Sequence, residues 1–286
     1  MNIYKILKWP FFGRFMVKWR NPLSPEQKKE WQPISTKSKS GGVIKGLFAK
    51  TKTIQEKGTI VLGHPMGKEA KGYFIKNGYT DLLRENGFNT VVFDINGFGE
   101  SSNGNFSYHE DIVAIGIKAS ELTPDIPIGY HGVSLGGQMA TIAFADINHK
   151  YNFAIVESAA TTLEDFWIKF PMAYKVLTLF NILLPKYRKQ VRMIDRIKEA
   201  TNLKSLLLIY SKSDEWVPVE MGRRFKENSP VETELWTVDN AKHALIMKSD
   251  HRDDYAKKII DYFNGSVKSK KERAIEGDRI PPSNFK

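Results

Sequence analysis

The sequence predicts an α/β fold in which a mostly parallel central sheet is flanked by helices. Short apolar runs alternate with longer helical patterns, as in parallel strands joined by crossover helices. One of these runs, Ile128 to Tyr130, leads through a glycine-flanked serine into a small-residue helical stretch, Gln138 to Ala145. With 286 residues, of which 41% are hydrophobic, the chain is long enough to bury a substantial core in a single domain.

The predicted strands are short, and polar or glycine-containing loops separate them. In chain order they are Thr59 to Leu62, Thr90 to Phe93, Ile128 to Tyr130, Phe153 to Val156, Leu206 to Tyr210 and Val231 to Val238. Between the first two, Phe74 to Glu85 predicts a helix that ends at Asn86 and Gly87. An apolar and basic segment at about 161–200 interrupts the alternation.

The segment Gly132 to Gly136 has the pattern G-x-S-x-G between a predicted strand and a predicted helix. Glycine at both outer positions leaves room for a strained turn, the nucleophile elbow, which projects Ser134 outward. A serine hydroxyl is a poor nucleophile at neutral pH, so catalysis needs a histidine base and a carboxylate that orients it. The pattern therefore predicts Ser134 as a nucleophile with two partners elsewhere in the chain.

Both partners are expected in loops that follow predicted strands. Asp214 follows the run Leu206 to Tyr210, and His243 precedes the last helix. The order serine, acid, histidine is the order of the α/β hydrolases. Glu157, at the end of another predicted strand, is the alternative acid, because some members of that fold supply the acid from that position.

With these motifs, the chain from about Val43 to about Asn264 resembles an α/β-hydrolase of the serine-hydrolase type. The resemblance implies an α/β-hydrolase fold in residues 43–264, preceded by a basic arm, 1–42, and followed by a polar tail, 265–286, that is expected to be disordered. In this family the segment after the sixth strand often forms a helical cap over the active site, here about 161–200.

The segment Leu62 to Gly67 resembles the H-G-x-x-G oxyanion loop of the family, with Pro65 where glycine is usual. Proline has no N–H, but the donor in the family is the following residue, so the amide of Met66 remains available. The resemblance therefore implies that the backbone N–H groups of Met66 and Leu135 form the oxyanion hole.

The other titratable residues are given structural or surface roles. His64 is expected to shape the oxyanion loop, and His131 to lie beneath the serine turn. The segment Asp94 to Ser101 is similar to the D-x-x-G-x-G-x-S turn of the family, so Asp94 receives no catalytic role. Three further histidines are expected on the surface: His109, His149 and His251.

The net charge of +11 is concentrated in two segments. Residues 1–20 contain five basic and no acidic groups, and residues 169–198 contain eight basic and one acidic. In the first segment apolar residues recur at every fourth position, which predicts a basic amphipathic helix: Ile3, Leu7, Phe11 and Phe15. Two interpretations remain open for this helix, contact with an anionic membrane surface or packing on its own domain.

Composition and motifs limit the partners. The chain has no cysteine and no nucleotide or metal motif, so we expect no cofactor and no metal. No nucleic-acid recognition motif accompanies the basic segments, so a nucleic-acid partner is not expected. The absence of cysteine suits a cytoplasmic protein, with peripheral attachment to the inner membrane face through residues 1–20 and the basic cap as an additional expectation.

The sequence thus predicts a cofactor-independent serine hydrolase that cleaves a carboxylic ester. Its apolar acyl group would occupy a pocket under the cap, with an acyl-enzyme forming on Ser134. The alternatives with the same triad are a peptidase, since the segment Asp214 to Pro218 also resembles prolyl-peptidase-like members, and an acyltransferase or thioesterase. A different class is a non-catalytic scaffold that binds a membrane or a partner.

Overall fold

The computed structural model describes residues 3–268. In this part of the chain eight strands form one sheet: β1 (Gln32–Lys37), β2 (Val43–Ala49), β3 (Gly58–Gly63), β4 (Phe88–Phe93), β5 (Ile128–Val133), β6 (Tyr151–Glu157), β7 (Ser205–Ser211) and β8 (Glu232–Val238). Their order across the sheet is β1-β2-β4-β3-β5-β6-β7-β8. Only the β1–β2 and β2–β4 pairs are antiparallel. The predicted mostly parallel sheet is confirmed.

Helices connect the strands and cover the sheet. They are α1 (Ile3–Phe12), α2 (Pro25–Lys28), α3 (Gly72–Lys76), α4 (Tyr79–Glu85), α5 (Tyr108–Leu122), α6 (Leu135–Ala143), α7 (Leu163–Trp167), α8 (Pro171–Leu183), α9 (Pro185–Gln190), α10 (Met193–Arg196), α11 (Val219–Asn228) and α12 (Arg252–Val267), with 3-10 turns at Ile197–Glu199 and Ile246–Lys248. The predicted cap corresponds to α7 to α10, inserted between β6 and β7.

Both faces of the sheet are buried at its central strands, β3 to β7. In β3, Val61 packs into one apolar cluster, whereas Ile60 and Leu62 pack into the other. Strands buried on both faces consist almost entirely of apolar residues, which is why the parallel strands were visible in the sequence.

The predicted helix Phe74 to Glu85 is two helices, so the prediction of one continuous helix is wrong. Gly78 has a φ of 80° and separates α3 from α4. Its amide donates to the carbonyl of Ile75 at 3.3 Å. A glycine in this left-handed conformation ends a helix by satisfying its last carbonyls.

The boundary drawn between residues 42 and 43 falls inside the β1–β2 hairpin, and β1 belongs to the sheet. The hairpin turn contains Gly41, whose φ is 84°. Further side chains from the predicted arm are buried in the domain: Trp19, Leu23, Trp31 and Ile34. The predicted arm therefore contributes to the core. Its edge strand was missed because Ile34 is the only buried residue of β1, which leaves no apolar run to detect.

One face of α1 packs on the domain. Phe11 and Phe12 are buried, and the ring of Phe11 lies 6.2 Å from that of Phe180 in α8. Lys8 lies fully buried on the same helix and donates a hydrogen bond to Asn96 Oδ1. The packing interpretation of this helix therefore holds for its inner face.

The burial of Lys8 predicts a pH effect on stability. Burial lowers the pKa of Lys8 from 10.5 to about 7, and the charge of Asp111 opposes this only in part. From pH 7 to 9 the unfolded chain therefore binds more protons at Lys8 than the folded chain, so folding stability rises with pH. We expect the unfolding free energy of the wild type to rise by about 2 kcal/mol relative to that of Lys8→Met over this range, as measured in urea titrations. Parallel pH profiles for the two proteins would contradict this expectation.

The predicted tail, 265–286, begins within α12, which extends to Val267. Its remainder from residue 269 onward lies outside the described residues. Among residues 3–268, no helix is both long enough and apolar enough to span a bilayer.

Candidate active site

The predicted site residues come together at one edge of the sheet. Ser134 follows β5, Asp214 follows β7 and His243 follows β8, while Met66 lies in the loop after β3. The carboxyl ends of parallel strands meet at the same edge, where open α/β sheets form their ligand crevices. Topology alone therefore brings together four loops that are distant in sequence.

The turn at Ser134 is strained and tightly packed. Ser134 has φ 49° and ψ −112°, a conformation that residues with a side chain rarely adopt, and α6 begins at the next residue. A Cβ on Gly136 would lie 2.0 Å from the carbonyl oxygen of Gly63, and a Cβ on Gly132 would lie 2.7 Å from the carbonyl carbon of Gly136. Both glycines are thus required by close backbone contacts. The Ser134 amide donates to the carbonyl of Glu157 at 2.9 Å, which fixes the turn to β6.

A continuous hydrogen-bonded chain joins Ser134, His243 and Asp214. Ser134 Oγ lies 2.8 Å from His243 Nε2, and His243 Nδ1 lies 2.7 Å from Asp214 Oδ2. The other carboxylate oxygen, Asp214 Oδ1, accepts from the amides of Trp216 and Val217, each at 2.9 Å. With Nδ1–H donating to Asp214, Nε2 presents its lone pair to the serine hydroxyl, as a general base requires.

Glu157, the alternative acid, takes part in a different set of hydrogen bonds. It is fully buried at the end of β6, where its Oε2 accepts from Tyr255 and lies 3.3 Å from His131 Nε2. His131, in β5, is also fully buried. The structure thus brings Asp214 to His243, whereas Glu157 is paired within the core.

A buried chain of tyrosines extends from this core carboxylate toward the histidine loop. The hydroxyl of Tyr255 lies 3.1 Å from that of Tyr79, which lies 3.3 Å from that of Tyr73. Tyr73 in turn donates to the carbonyl of Ala244 at 2.8 Å. Burial raises the pKa of all three tyrosines, so each remains a neutral donor. Sequence reasoning missed this support for the loop that carries His243, because the three tyrosines share no local motif.

The oxyanion loop is held in place by His64. Its Nδ1 lies 2.8 Å from the carbonyl of Pro65, and its Nε2 accepts from the amide of Ile95 at 3.0 Å. Its own carbonyl accepts from the amide of Gly136 at 3.1 Å. Burial lowers the pKa of His64, so the ring stays neutral in this structural role.

The two predicted oxyanion donors lie beside Ser134. Leu135 is the first residue of α6, where an amide has no acceptor within its own helix. Two cavities reach Ser134. Met66 borders both of them, and Leu135 borders one. Within residues 3–268 neither amide donates a backbone hydrogen bond. Their role as oxyanion donors stays a prediction.

Two cavities, each of about 220 Å³, meet at Ser134. The first extends under α1 and the cap, and among residues 3–268 no charged side chain borders it. Its walls include side chains from α1, α7 and α8: Leu7, Phe11, Phe166, Trp167, Leu177 and Phe180. The second lies on the His243 side, between Tyr73 and Trp216. The serine hydroxyl thus stands between an apolar chamber and a separate cleft.

Of the remaining titratable residues, Asp94 has the structural role expected for it, and one histidine expected on the surface is buried. Asp94 is buried and accepts from the amides of Lys71 and Glu100, each at 2.9 Å. His149 is buried, so its expected surface position is wrong, whereas His109 and His251 are partly exposed. Among the described residues, no three His, Asp or Glu side chains cluster as a metal site would require.

Comparison with known families agrees with this geometry. The family model described as serine aminopeptidase, S33, matches residues 54–204, just over half of the chain. The chain belongs to this family. It is therefore a serine hydrolase of the α/β-hydrolase type, as the sequence motifs predicted. The matched segment of this S33 hydrolase includes Met66, Ser134 and Leu135, whereas Asp214 and His243 lie beyond it.

Solved structures similar to this S33 hydrolase share its fold. An esterase from Pyrococcus furiosus is 17% identical with a TM-score of 0.68, and the match covers 87% of this chain and 96% of that one. DcsB, solved with a substrate analogue, is 14% identical with a TM-score of 0.65, and the match covers 83% and 99% of the two chains. An acylaminoacyl peptidase from Pyrococcus horikoshii is 17% identical with a TM-score of 0.62, over 83% of this chain but 42% of that one. The search of curated proteins gave no significant match.

Proposed function

We propose that this S33 hydrolase is a carboxylic-ester hydrolase that acts on substrates with an apolar acyl group. The observation that carries the proposal is the position of Ser134 Oγ, which is hydrogen-bonded to His243 and borders an uncharged, aromatic-lined cavity. Such a cavity binds an alkyl or aryl chain through apolar burial and offers no ionic anchor.

In the proposed reaction Ser134 Oγ attacks the ester carbonyl carbon while His243 Nε2 accepts the hydroxyl proton. Asp214 keeps the imidazole oriented and stabilises its protonated form. The oxyanion of the tetrahedral intermediate accepts hydrogen bonds from the amides of Met66 and Leu135. When the intermediate collapses, the ester C–O bond breaks and the alkoxide takes the proton from His243. A water molecule, deprotonated by His243, then attacks the acyl-enzyme, releases the acid and restores Ser134.

The two cavities suggest separate places for the two halves of the ester. The acyl chain would occupy the chamber under α1 and the cap, whereas the alcohol would leave through the cleft beside His243. In this cleft the ring of the partly exposed Trp216 lies 5.0 Å from that of His243, at an interplanar angle of 43°. Water for deacylation would reach His243 by the same path.

The same surfaces argue against an aminopeptidase, which must bind the free ammonium group of a peptide. A buried ammonium group needs a carboxylate partner. Among the described residues, no Asp or Glu side chain borders either cavity. An acyl group without charge fits this chamber better than an amino terminus.

Acyl-chain preference gives a direct test of this proposal. We expect turnover of p-nitrophenyl esters of graded chain length, with an optimum set by the chamber. In Leu177→Phe, the larger side chain should fill part of the chamber and reduce kcat/KM for the longest preferred ester about tenfold relative to the shortest. Thr178→Ala, at an exposed position on the same helix, is the matched control and should keep the wild-type profile.

Two results would contradict the proposal. One is faster turnover of an aminoacyl p-nitroanilide with a free amino group than of every ester. The other is an unchanged chain-length profile in Leu177→Phe, which would place the acyl group outside the chamber.

A further inference from the structure

Helix α1 is apolar on two sides. Its inner side chains Leu7 and Phe11 border the chamber. On the outer side Ile3, Ile6 and Trp9 are exposed, Trp9 to 69%. A surface helix normally turns a polar face outward, so an apolar outer face indicates that something else covers it.

Helix α8 has the same two-sided character. Its inner side chains Leu177 and Phe180 border the chamber. Met172, Leu179 and Ile182 are exposed, Ile182 to 70%, and their spacing of seven and three residues places them on one side of the helix. The cap helix thus repeats the arrangement of α1.

The outer sides of the two helices belong to one region of the surface. The helices pack against each other through Phe11 and Phe180, whose rings are 6.2 Å apart, and their inner sides border a single chamber. We call the exposed outer side chains the docking face: Ile3, Ile6, Trp9, Met172, Leu179 and Ile182.

The two segments that carry the docking face are rich in basic residues and contain no acidic ones. Residues 3–20 contain five basic and no acidic side chains, and residues 169–192 contain six basic and none acidic. Several of the lysines are exposed and form no ion pair within the described part of the chain: Lys5, Lys175, Lys186 and Lys189. Protein interfaces are depleted in lysine, whereas lysine beside an anionic lipid surface is favourable.

We propose that the docking face binds the surface of an anionic lipid bilayer. The aliphatic side chains and Trp9 enter the boundary between headgroups and acyl chains, while the surrounding lysines lie at the lipid phosphates. Because the chamber lies directly behind the same two helices, binding places it against the bilayer. This last step rests on the proposed function: the substrate class is then a long-chain ester that partitions into the membrane.

Co-sedimentation with vesicles tests the docking face without requiring catalysis. The probes are vesicles of phosphatidylcholine alone and of phosphatidylcholine mixed with phosphatidylglycerol, each at low and high salt. We expect the wild type and Ser134→Ala to sediment equally with the mixed vesicles and to be released by salt. Ile6→Glu and Ile182→Glu should each bind at least about tenfold more weakly, because each replaces an aliphatic group that would enter the bilayer by a carboxylate near anionic lipid.

The matched controls are Ile54→Glu and Ile147→Glu. Both isoleucines are exposed, and they lie in loops that precede β3 and β6, at the opposite edge of the sheet from Ser134. These variants should bind vesicles as the wild type does. The docking variants should hydrolyse a short water-soluble ester normally, since neither Ile6 nor Ile182 borders the chamber. Their turnover of a long-chain ester embedded in mixed vesicles should fall with their binding.

Three outcomes would overturn the proposal. In the first, the wild type stays in the supernatant with both kinds of vesicle. In the second, the control variants lose binding as much as the docking variants. In the third, the protein binds no vesicles, and sedimentation equilibrium shows a dimer that Ile182→Glu converts to a monomer. The last result would assign the face to a second copy of this chain.

Discussion

Replacing Ser134 with alanine is expected to reduce kcat for ester hydrolysis by at least about 10⁴-fold, because the variant has no oxygen with which to form the acyl-enzyme. The fold should survive. Alanine carries the same Cβ as serine at φ 49°, so the strain of the turn is unchanged. The remaining rate would come from the binding site and oxyanion donors alone. Steady-state kinetics with p-nitrophenyl esters, together with urea unfolding, measures both parts of this prediction.

Ser158 offers a matched control for this variant. It is also a buried serine with φ 49°, and it follows the neighbouring strand β6. Its hydroxyl has no hydrogen-bond partner within the described residues. Ser158→Ala should therefore retain nearly full activity. Equal loss in the two variants would show that a general disturbance of the fold, and not loss of the nucleophile, explains the result.

The Asp214→Asn variant is expected to lower kcat by about 10³- to 10⁴-fold through the tautomer of His243. In the wild type Asp214 Oδ1 accepts from two backbone amides, while Oδ2 accepts from His243. An asparagine would keep its oxygen at the two amides and turn its NH₂ group toward Nδ1. That nitrogen would then have to accept, so the proton would move to Nε2, where it blocks proton transfer from Ser134.

The comparison with Glu157→Gln decides between the two candidate acids. Glu157 is hydrogen-bonded to Tyr255 and lies close to His131, so its loss should perturb the core and lower stability, with a much smaller effect on kcat. Measuring kcat and the unfolding free energy of both variants separates these effects. A greater loss of kcat in Glu157→Gln than in Asp214→Asn would make Glu157 the acid.

The sequence was sufficient to predict the parallel strands and the loops of the site. The strands from β3 to β7 are buried on both faces, so each contains a run of apolar residues. Parallel strands place their carboxyl ends at one edge, so the loops after β5, β7 and β8 had to converge. The nucleophile turn was visible because backbone contacts at Gly132 and Gly136 exclude any larger residue.

Features that depend on tertiary contacts could not be predicted in this way. The edge strand β1 buries Ile34 alone, and the break between α3 and α4 depends on the conformation of Gly78. The periodicity of α1 indicated an apolar face, but it could not show that Leu7 and Phe11 would border the chamber while Trp9 remained exposed. The same limit applies to the chain of tyrosines behind His243, whose members are far apart in sequence.

Formation of an acyl-enzyme on Ser134 is the central claim, and a rapid-quench experiment tests it most directly. The enzyme would be mixed with excess p-nitrophenyl ester, quenched in acid during the first turnover and digested for peptide mass spectrometry. We expect a burst of p-nitrophenol close to one equivalent per chain, with the acyl group located on Ser134. Stoichiometric acylation of any other residue, or steady hydrolysis that persists unchanged in Ser134→Ala, would contradict the proposed mechanism.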